Sequence, residues 1–310
     1  MRQGERAVIE ESIAIFLLAA AYDILLGEMP ARIHPVVWIG KLISFLRFRV
    51  PASKMGGILL ALMVIAATVL AGHMLVRAAG FLPLLPLLVS AFLLKSTFAM
   101  RCLIQVSSDI GKMIDADMEG ARSMLPALVG RDTASLSRSQ ASSAVIESLS
   151  ENYVDGILSP IFYYVLFAPL GLGLEAALAF KAASTMDSMV GYKTKGLKEV
   201  GFAGARLDDL FNFIPARLSI FLIALARPLK AKAALAAAFR YHGSTPSPNS
   251  GWPMAACAGA LGLRLEKPGS YVLLEEGEEP QTSDVPRAVG ILQMAVALTL
   301  ASALLFLFWI

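Results

Sequence analysis

The sequence has few charged residues and almost no cysteine, and each shortage excludes a class of protein. Asp, Glu, Lys and Arg make up 16% of the 310 residues, whereas about a quarter is usual for a soluble domain. Cys102 and Cys257 are isolated from each other in the sequence, so neither a disulfide framework nor a paired-cysteine metal site is predicted. The formal net charge of +3 is too small to indicate a nucleic-acid-binding protein.

Several common catalytic signatures are also missing. No Gly-x-x-x-x-Gly-Lys-Ser/Thr occurs, so no P-loop is predicted. Neither His-Glu-x-x-His nor Gly-x-Ser-x-Gly is present, which removes the usual zinc-protease and hydrolase signatures. If a nucleotide binds, its phosphates must therefore be held by Mg²⁺ on carboxylates together with Lys and Arg side chains.

Long apolar runs are the main feature that the sequence does contain. Hydrophobic residues make up 56% of the chain, and a helix needs about 20 mostly apolar residues to cross a bilayer. Four runs without a formal charge reach or approach that length: Met55–Val76, Ala78–Leu94, Gly156–Leu174 and Ala288–Ile310. The sequence therefore predicts an all-α, polytopic integral membrane protein.

The distribution of Lys and Arg predicts the topology. Four segments, 27–55, 95–153, 181–217 and 227–288, hold 24 of the 27 basic residues, and the positive-inside rule places each of them in the cytoplasm. We predict one integral membrane domain over residues 1–310, located in the cell (inner) membrane with its active face in the cytoplasm. The expected spans lie near 7–26, 55–76, 78–97 and 288–310. The cytoplasmic-face motif segments, which include amphipathic helices, are expected at 27–54, 98–155, 181–217 and 228–287.

Two apolar stretches need a separate interpretation. Glu10 and Glu11 stand before "SIAIFLLAAA", where a secretory signal would carry a basic leader, so an uncleaved first helix is expected. A single span through 156–180 would leave the basic segment 181–217 outside. The central "APLGLG" therefore favours a re-entrant hairpin at 156–180, and the helix near 210–227 is expected to be too short to cross alone.

Three carboxylates share a face of one predicted helix. The stretch from Leu136 to Tyr153 lacks Gly and Pro, and Glu147, Glu151 and Asp155 recur there at i, i+4 and i+8. Each four-residue step turns only about 40° past a full helical turn, so the side chains lie along one face. The face is either a solvated acidic stripe or a surface that holds Mg²⁺ or an ammonium group.

Two further motifs combine acids with bases. In "KAASTMDSMVGYKTKG", Asp187 lies between hydroxyls and precedes Lys193, a composition suited either to an anionic ligand or to lipid headgroups. In "ARLDDLFNFIPAR", Asp208 or Asp209 can share a helical face with Asn212, which is similar to the aspartate-rich Mg²⁺-phosphate motifs of prenyl-transfer enzymes. The alternative is a capped helix start with a surface ion pair between an aspartate and Arg206.

These stretches together resemble one family. The motifs "D.LLGE…HPV.WIGK", "GRDT…VIESLSEN…DGILSP", "STMDSMVGYK", "GARLDDLFNFIPARL" and "SPNSGWPMAACAGALGLRLEKPG" occur in the same order in the cobalamin biosynthesis CobD/CbiB family. The resemblance covers residues from about 23 to 274. It implies an adenosylcobinamide-phosphate synthase, an integral membrane enzyme that joins adenosylcobyric acid to (R)-1-amino-2-propanol phosphate by an amide bond, using ATP and Mg²⁺.

On that resemblance and on residue type, we assign roles to individual side chains and expect them to converge on a metal–phosphate pair. Asp187 is the expected general base. The expected catalytic residues are Asp187, Glu147, Glu151 and Lys193. The expected substrate- and phosphate-binding residues are Arg131, Asp132, Arg206, Arg217, Asn152, Asn212, His34 and Asn249. The expected metal ligands are Asp155, Asp208 and Asp209. Expected partners are the corrinoid, aminopropanol phosphate, membrane lipid and other membrane enzymes of the corrinoid pathway; no nucleic acid is expected.

Three other classes remain open at this point. A non-catalytic membrane sensor or assembly protein, similar to the AmpE family, would not need the whole set of acidic and basic motifs. A Mg²⁺-dependent prenyl-transfer enzyme would need a second aspartate-rich motif, for which "ENYVD" is only a partial candidate. A transporter is suggested by charge within the membrane and by the re-entrant hairpin.

Overall fold

The computed structural model describes residues 3–191 and 199–310, and these are almost entirely helical. The helices, in chain order, are α1 Gln3–Leu26, α2 Pro35–Leu46, α3 Lys54–Ala78, α4 Leu85–Lys95, α5 Met100–Ala116, α6 Met118–Met124, α7 Arg138–Tyr153, α8 Ser159–Phe167, α9 Gly173–Val190, α10 Phe202–Phe211, α11 Phe213–Ala226, α12 Ala231–Tyr241, α13 Gly251–Leu261 and α14 Asp284–Trp309. Two short strands, β1 Leu265–Lys267 and β2 Tyr271–Leu273, form an antiparallel hairpin. The predicted all-α class is confirmed.

Four described helical stretches are long and apolar enough to cross a membrane. They are Lys54–Phe81, Leu85–Ala116, Arg138–Leu170 and Asp284–Trp309, and α10 with α11 makes a fifth if the pair counts as one span. Large apolar side chains on α3, such as Leu62 and Leu70, are exposed, as expected for a surface that faces lipid. The prediction of a polytopic membrane protein is confirmed.

The chain divides into two compact units. The first comprises Met1–Ala99, Ser159–Phe211 and Ser302–Ile310, and the second comprises Met100–Leu158 and Asn212–Ala301. The sequence alone indicated one domain, because nothing in its composition marks a linker between the units.

In the first unit, α2, α3, α9 and α10 share one apolar core. Ile43, Leu60 and Met186 are completely buried in it. The core requires a close approach of backbone to backbone at Gly57, where a Cβ atom would lie 2.5 Å from the carbonyl oxygen of Val200. A larger side chain there would separate the start of α3 from the segment that leads into α10.

The hairpin expected at 156–180 contains a turn in the stretch that the sequence indicated. Ala168–Leu170 form a single 3₁₀ turn, and Gly171 follows with a φ of +68°, a conformation that glycine adopts without strain. Helix α9 begins two residues later, and α8 packs against it. The "APLGLG" stretch therefore reverses the chain, as glycine and proline predict.

In the second unit, α7 is buried along most of its length. Its N-terminus is closed by a capping box, in which Ser137 accepts from the N–H of Gln140 and the Gln140 side chain accepts from the N–H of Ser137. Because the inward positions are mostly Ala and Ser, α5, α13 and β1 pack closely against it. The helix then widens into a π-helical turn at Val154–Leu158, a local irregularity that is often found at functional sites.

Candidate active site

A polar cavity of about 170 Å³ opens beside α7 in the second unit. Its volume is below the range of about 300–1,000 Å³ that is typical of pockets for drug-sized ligands, so it suits a small polar group. The lining residues are Leu128, Val129, Gly130, Arg131, Ala144, Glu147, Ser148, Glu151, Asn152, Asp155, Lys267 and Tyr271.

The carboxylates of this cavity come from consecutive turns of one helix. Glu147 and Glu151 belong to α7, and Asp155 lies in the π-helical turn that follows. The i, i+4, i+8 spacing predicted that all three share a face, and the structure places all three on the wall of the same cavity.

Glu147 is held by three donors and is only 4% exposed. One of its oxygens accepts from the hydroxyl of Ser143 at 2.6 Å. The other accepts from the hydroxyl of Tyr271 at 2.8 Å and from Nη2 of Arg131 at 3.3 Å. A buried carboxylate is stable only when it is paired and hydrogen-bonded, and Glu147 meets both conditions within the protein. It therefore positions Arg131 and Tyr271, instead of offering its own oxygens to a ligand.

The phenol of Tyr271 stays protonated in this environment. Burial raises its pKa, and the charge of Glu147 and the hydrogen bond to Glu147 raise it further. Because Tyr271 lies on β2 and Glu147 on α7, their hydrogen bond attaches the hairpin to the helix. The hydroxyl of Ser143 makes a second attachment, since it accepts from the N–H of Glu266 at 2.7 Å.

Two basic residues face the three carboxylates. Arg131 precedes α7 and also reaches the carbonyl of Glu266, whereas Lys267 ends β1. No ion pair of Lys267 occurs within residues 3–191 and 199–310. Three acids and two bases leave one negative charge in excess when all are ionised. The cavity is therefore suited to a ligand that carries both an anionic group and a cationic group.

Two other expected binding residues lie close by in the sequence. The amide of Asn152 lines the cavity and donates to Ser148, to its carbonyl at 2.9 Å and its hydroxyl at 3.0 Å. Asp132 is exposed, and its carboxylate accepts from the N–H of Ala134. That contact makes a local turn, which positions Arg131 but does not line the cavity.

Asp187 lies in the first unit, near the end of α9. Burial raises its pKa, and the negative charge of Asp209 on α10 raises it further. A carboxyl group with a raised pKa can accept a proton nearer to neutral pH than an ordinary aspartate can. This environment is compatible with the general-base role expected from the sequence, which stays a prediction.

The aspartate-rich stretch is divided between two helices. Asp208 and Asp209 are on α10, whereas Asn212 is the buried residue that joins α10 to α11. The helix thus breaks at Asn212, three residues before Pro215. Arg206 pairs with Asp209 at 3.7 Å, which is the surface ion pair of the alternative interpretation.

Arg217 is engaged by aromatic and polar groups of the second unit. Its guanidinium lies 3.5 Å from the ring centre of Phe213 and 5.0 Å from that of Trp252. Its Nη1 donates to the carbonyl of Phe213 and to the buried side chain of Asn249 at 3.3 Å. The two expected binding residues Arg217 and Asn249 are thus brought together.

His34 belongs to a separate charged cluster in the first unit. Its Nδ1 accepts from the N–H of Val36 and caps α2, which leaves Nε2 to donate to Glu28 at 3.0 Å. Both nitrogens of the ring therefore have partners within the protein, and the neutral imidazole satisfies both. The expected role of His34 in substrate binding stays a prediction, but the role that these contacts describe is a helix cap.

Comparison with known sequences gives the family. The profile described as CobD/Cbib protein matches residues 16–301. The probable cobalamin biosynthesis protein CobD of Methanothrix thermoacetophila is 53% identical over 95% of this chain and 96% of its own. That of Methanothermobacter thermautotrophicus is 38% identical over 94% and 97%, and the cobalamin biosynthesis protein CobD of Klebsiella pneumoniae is 37% identical over 90% of each. The chain belongs to the CobD/CbiB family. Its role is therefore in cobalamin biosynthesis. No solved structure matches the chain.

The donors fit magnesium only together with a ligand. Within the described part of the chain, no three His, Cys, Asp or Glu side chains are close enough to hold a metal ion. Mg²⁺ is commonly bound by one or two carboxylates plus substrate phosphates and water. Glu151 and Asp155 provide two carboxylates on one cavity wall, which suits Mg²⁺ held partly by a substrate phosphate.

Sequence reasoning missed Lys267, Tyr271 and Ser143. All three belong to the contacts between α7 and the hairpin. A signal for the hairpin was present, because "EKPGSY" places Pro and Gly between two short runs. Nothing in the sequence paired that hairpin with a helix more than 110 residues earlier. Lys193, an expected catalytic residue, lies outside the described residues.

Proposed function

We propose that this CobD/CbiB protein is the synthase that forms the amide between a corrinoid carboxylate and (R)-1-amino-2-propanol phosphate, at the expense of ATP. The observation that carries the proposal is the cavity of the second unit, where Glu151 and Asp155 face Arg131 and Lys267. Adenosylcobyric acid supplies the carboxylate. ATP and Mg²⁺ supply the activation.

The charge pattern of the cavity supports binding of the amine substrate there. An aminoalkyl phosphate carries an ammonium at one end and a phosphate at the other. Glu151 and Asp155 match the ammonium, and Lys267 with Arg131 matches the phosphate, because charge-assisted hydrogen bonds of these types are the strong ones. The volume of about 170 Å³ suits this small ligand, whereas the corrinoid must bind elsewhere.

The chemistry requires two steps. A carboxylate oxygen of the corrinoid attacks the terminal phosphorus of ATP, which gives an acyl phosphate and releases ADP. The free amine then attacks the acyl carbon, the amide C–N bond forms, and inorganic phosphate leaves. Mg²⁺, when bound, neutralises phosphate charge during the first step. The amine must lose one proton before attack and another afterwards.

The protein's own residues then act by positioning and by proton transfer. Glu151 and Asp155 orient the ammonium, and Lys267 and Arg131 fix the phosphate end, so that the amine presents its lone pair in one direction. Glu147 and Tyr271 hold Arg131 and the hairpin in place. Asp187 of the first unit, whose pKa is raised by burial and by the charge of Asp209, is our candidate for a general base.

A direct assay tests the proposal. The full-length protein, purified in detergent, is incubated with adenosylcobyric acid, aminopropanol phosphate and MgATP, and ADP and the corrinoid amide are both quantified. Equimolar formation of the two products is expected, with none when the amine is omitted. A parallel reaction with unphosphorylated aminopropanol measures the contribution of the phosphate. ADP without amide, or no turnover of either amine, would contradict the proposal.

A variant links the activity to the cavity. Glu151→Gln keeps the size of the side chain and removes the charge that faces the ammonium, so we expect a loss of about 10–100-fold in kcat/KM for the amine, the value of a hydrogen bond to a charged group. Glu279→Gln, an exposed change on the loop before α14, serves as the matched control and should leave the rate unchanged.

A further inference from the structure

One face of α2 and the turn that follows it carry exposed aromatic and basic side chains. Pro35, Ile39 and Ile43 point into the core. On the opposite side, Trp38, Lys41 and Phe45 recur at helical spacing, and Phe48 and Arg49 follow in the turn after α2; all five are exposed. We call these five residues the basic–aromatic face. Its two phenylalanines are 55% and 77% exposed, which is costly unless something apolar covers them.

The cations beside this face lack acidic partners. No Asp or Glu occurs between Glu28 and Asp109 in the sequence. Within the described part of the chain, Lys41, Arg49 and Lys54 form no ion pair. Two of them lie instead against rings: the guanidinium of Arg49 is 3.5 Å from the centre of Phe45, and Nζ of Lys54 is 5.2 Å from that of Phe202. This arrangement leaves their charge available to an anion.

The basic–aromatic face also lies at the end of a membrane span. Lys54 is the first residue of α3, and the exposed side chains that follow it, Met55, Leu59 and Leu62, are all apolar. Aromatic and basic residues at such a boundary are typical of the membrane–water interface. The setting of these cations therefore matches the headgroup of an anionic lipid.

A cavity between α2 and α3 can receive the acyl chain. It measures about 130 Å³ and its lining is almost entirely apolar, from Pro35, Trp38 and Leu42 on one helix to Ala71 and Leu75 on the other. Since α2 rises 1.5 Å per residue, Leu42, the lining residue of α2 nearest to the helix end, lies about 6 Å from Leu46. One leaflet of the hydrocarbon core is about 15 Å thick, so an acyl chain that starts near Arg49 reaches this cavity.

We propose that the basic–aromatic face and the α2–α3 cavity together bind one anionic phospholipid, with its headgroup at Lys41, Arg49 and Lys54 and an acyl chain against Trp38. The proposal does not depend on the synthase activity. A free anion would bind to the cations only, whereas a phospholipid would also fill the apolar cavity.

Lipid exchange in mixed micelles tests the proposal. The full-length protein is equilibrated with equimolar phosphatidylglycerol and phosphatidylcholine, and the retained lipids are counted by native mass spectrometry. Phosphatidylglycerol should be preferred at low salt, and the preference should weaken as sodium chloride screens the cations. Wild-type protein that retains both lipids equally at low salt would overturn the proposal without recourse to any variant.

Two variants locate the site. Replacement of Lys41, Arg49 and Lys54 by Gln should lower the preference by roughly fivefold for each cation removed. A control with the same loss of charge, Gln at Arg77, Lys230 and Lys232, should retain the preference; an equal fall in both would show a general charge effect and overturn the assignment. Both proteins must elute as the wild type does in gel filtration.

The cavity and the source of the phosphate need separate tests. Ala71→Phe fills the cavity and should reduce retention of long-chain phosphatidylglycerol more than that of the dihexanoyl form. Equal effects on the two would overturn the acyl-chain part. Inorganic phosphate should compete no better than chloride at equal ionic strength; stronger competition would show a soluble-anion site instead of a lipid site.

Discussion

Each unit contains a buried ion pair, and the two pairs are arranged differently. In the first unit, Lys95 is completely buried, and its ammonium meets Asp23 at 3.0 Å, Glu28 at 2.8 Å and the carbonyl of Phe98 at 3.3 Å. In the second unit, Glu147 and Arg131 are also paired, but they lie on the wall of a cavity with Lys267 and two more carboxylates.

The comparison distinguishes charged side chains that stabilise the fold, as at Lys95, from charged side chains that line a cavity. The Lys95 ammonium donates to Glu28 and to the carbonyl of Phe98 and forms an ion pair with Asp23, so the cluster stabilises the ends of α1 and α4. In the second unit, Glu147 accepts from Ser143, Tyr271 and Arg131, but it lies on the wall of a cavity that a small ligand can enter. Burial by itself therefore does not identify a site, and a charged group needs accessible space before it can bind a ligand.

The largest effect is expected when the ion-pair cluster of Lys95, Asp23 and Glu28 is broken. Lys95→Met leaves Asp23 and Glu28 without their cation, and removal of one partner from a buried pair costs about 3–5 kcal/mol. We expect a clear fall in the thermal midpoint of the detergent-solubilised protein, with the activity per folded molecule retained. Lys112→Met, at an exposed pair, should change the midpoint little. A midpoint equal to that of the wild type would show that the Lys95 cluster is not structural.

The same cluster has a pH signature. Burial raises the pKa of Glu28, but the hydrogen bonds from His34 and Lys95 and the charge of Lys95 outweigh it and lower the pKa to about 2. Because the folded state holds this proton more weakly than the unfolded state does, the stabilisation is present above about pH 4.5 and is lost as the pH falls toward 2. Lys95→Met should flatten this dependence.

The next effect concerns Asp187, an acidic residue of the first unit outside the Lys95 cluster. Asp187→Asn should lower kcat by about 10²–10⁴-fold, the usual contribution of a general base. The acidic limb of the wild-type pH–rate profile should follow its raised pKa. Asp209→Asn removes a negative charge that raises this pKa, so the limb should shift to lower pH. A limb that does not move would remove Asp187 from the role.

A smaller effect is expected from a substitution in the cavity beside α7. Lys267→Gln should raise KM for aminopropanol phosphate by about 10–100-fold, since one charge-assisted contact is lost, and should leave kcat nearly unchanged. Unphosphorylated aminopropanol should not distinguish the variant from the wild type. Lys232→Gln, an exposed change on α12, is the control. Equal losses with both amines would show that Lys267 does not bind the phosphate.

The smallest effect concerns the attachment of the hairpin. Tyr271→Phe removes one of the three donors to Glu147 and leaves Ser143 and Arg131 in place. The expected cost is about 1 kcal/mol, seen as a rise of roughly fivefold in KM for the amine. Tyr241→Phe, which removes a hydroxyl bonded to Glu276 elsewhere in the second unit, should leave KM unchanged.

Local pattern explains what sequence reasoning predicted well. The uncharged runs predicted the long apolar helices, because a membrane span has to be apolar along its whole length. The four-residue spacing of Glu147, Glu151 and Asp155 gave their shared face because helical geometry is fixed. The "APLGLG" stretch gave the turn before α9. Family motifs then predicted a role in cobalamin biosynthesis, which the comparisons confirm.

The remainder depended on contacts that residue type does not specify. His34 was expected to bind substrate, yet its ring caps α2 and meets Glu28, six residues before it. Asp208 and Asn212 could share a face only on an unbroken helix, and the helix breaks at Asn212. The functional roles of the acidic residues in the first unit stay predictions.

The sequence by itself determined the helical class, the membrane setting and the row of carboxylates on α7, because each follows from hydropathy or from helical periodicity. Only the tertiary structure decided which charges are saturated and which line a cavity. Lys95 follows an apolar run and Lys267 precedes a Pro-Gly turn, but neither sequence context specifies the partner of the charge. The physical reason is that the partner of a charge is chosen by packing, which joined Lys95 to Asp23 and placed the β-hairpin, with Lys267 and Tyr271, beside Glu147.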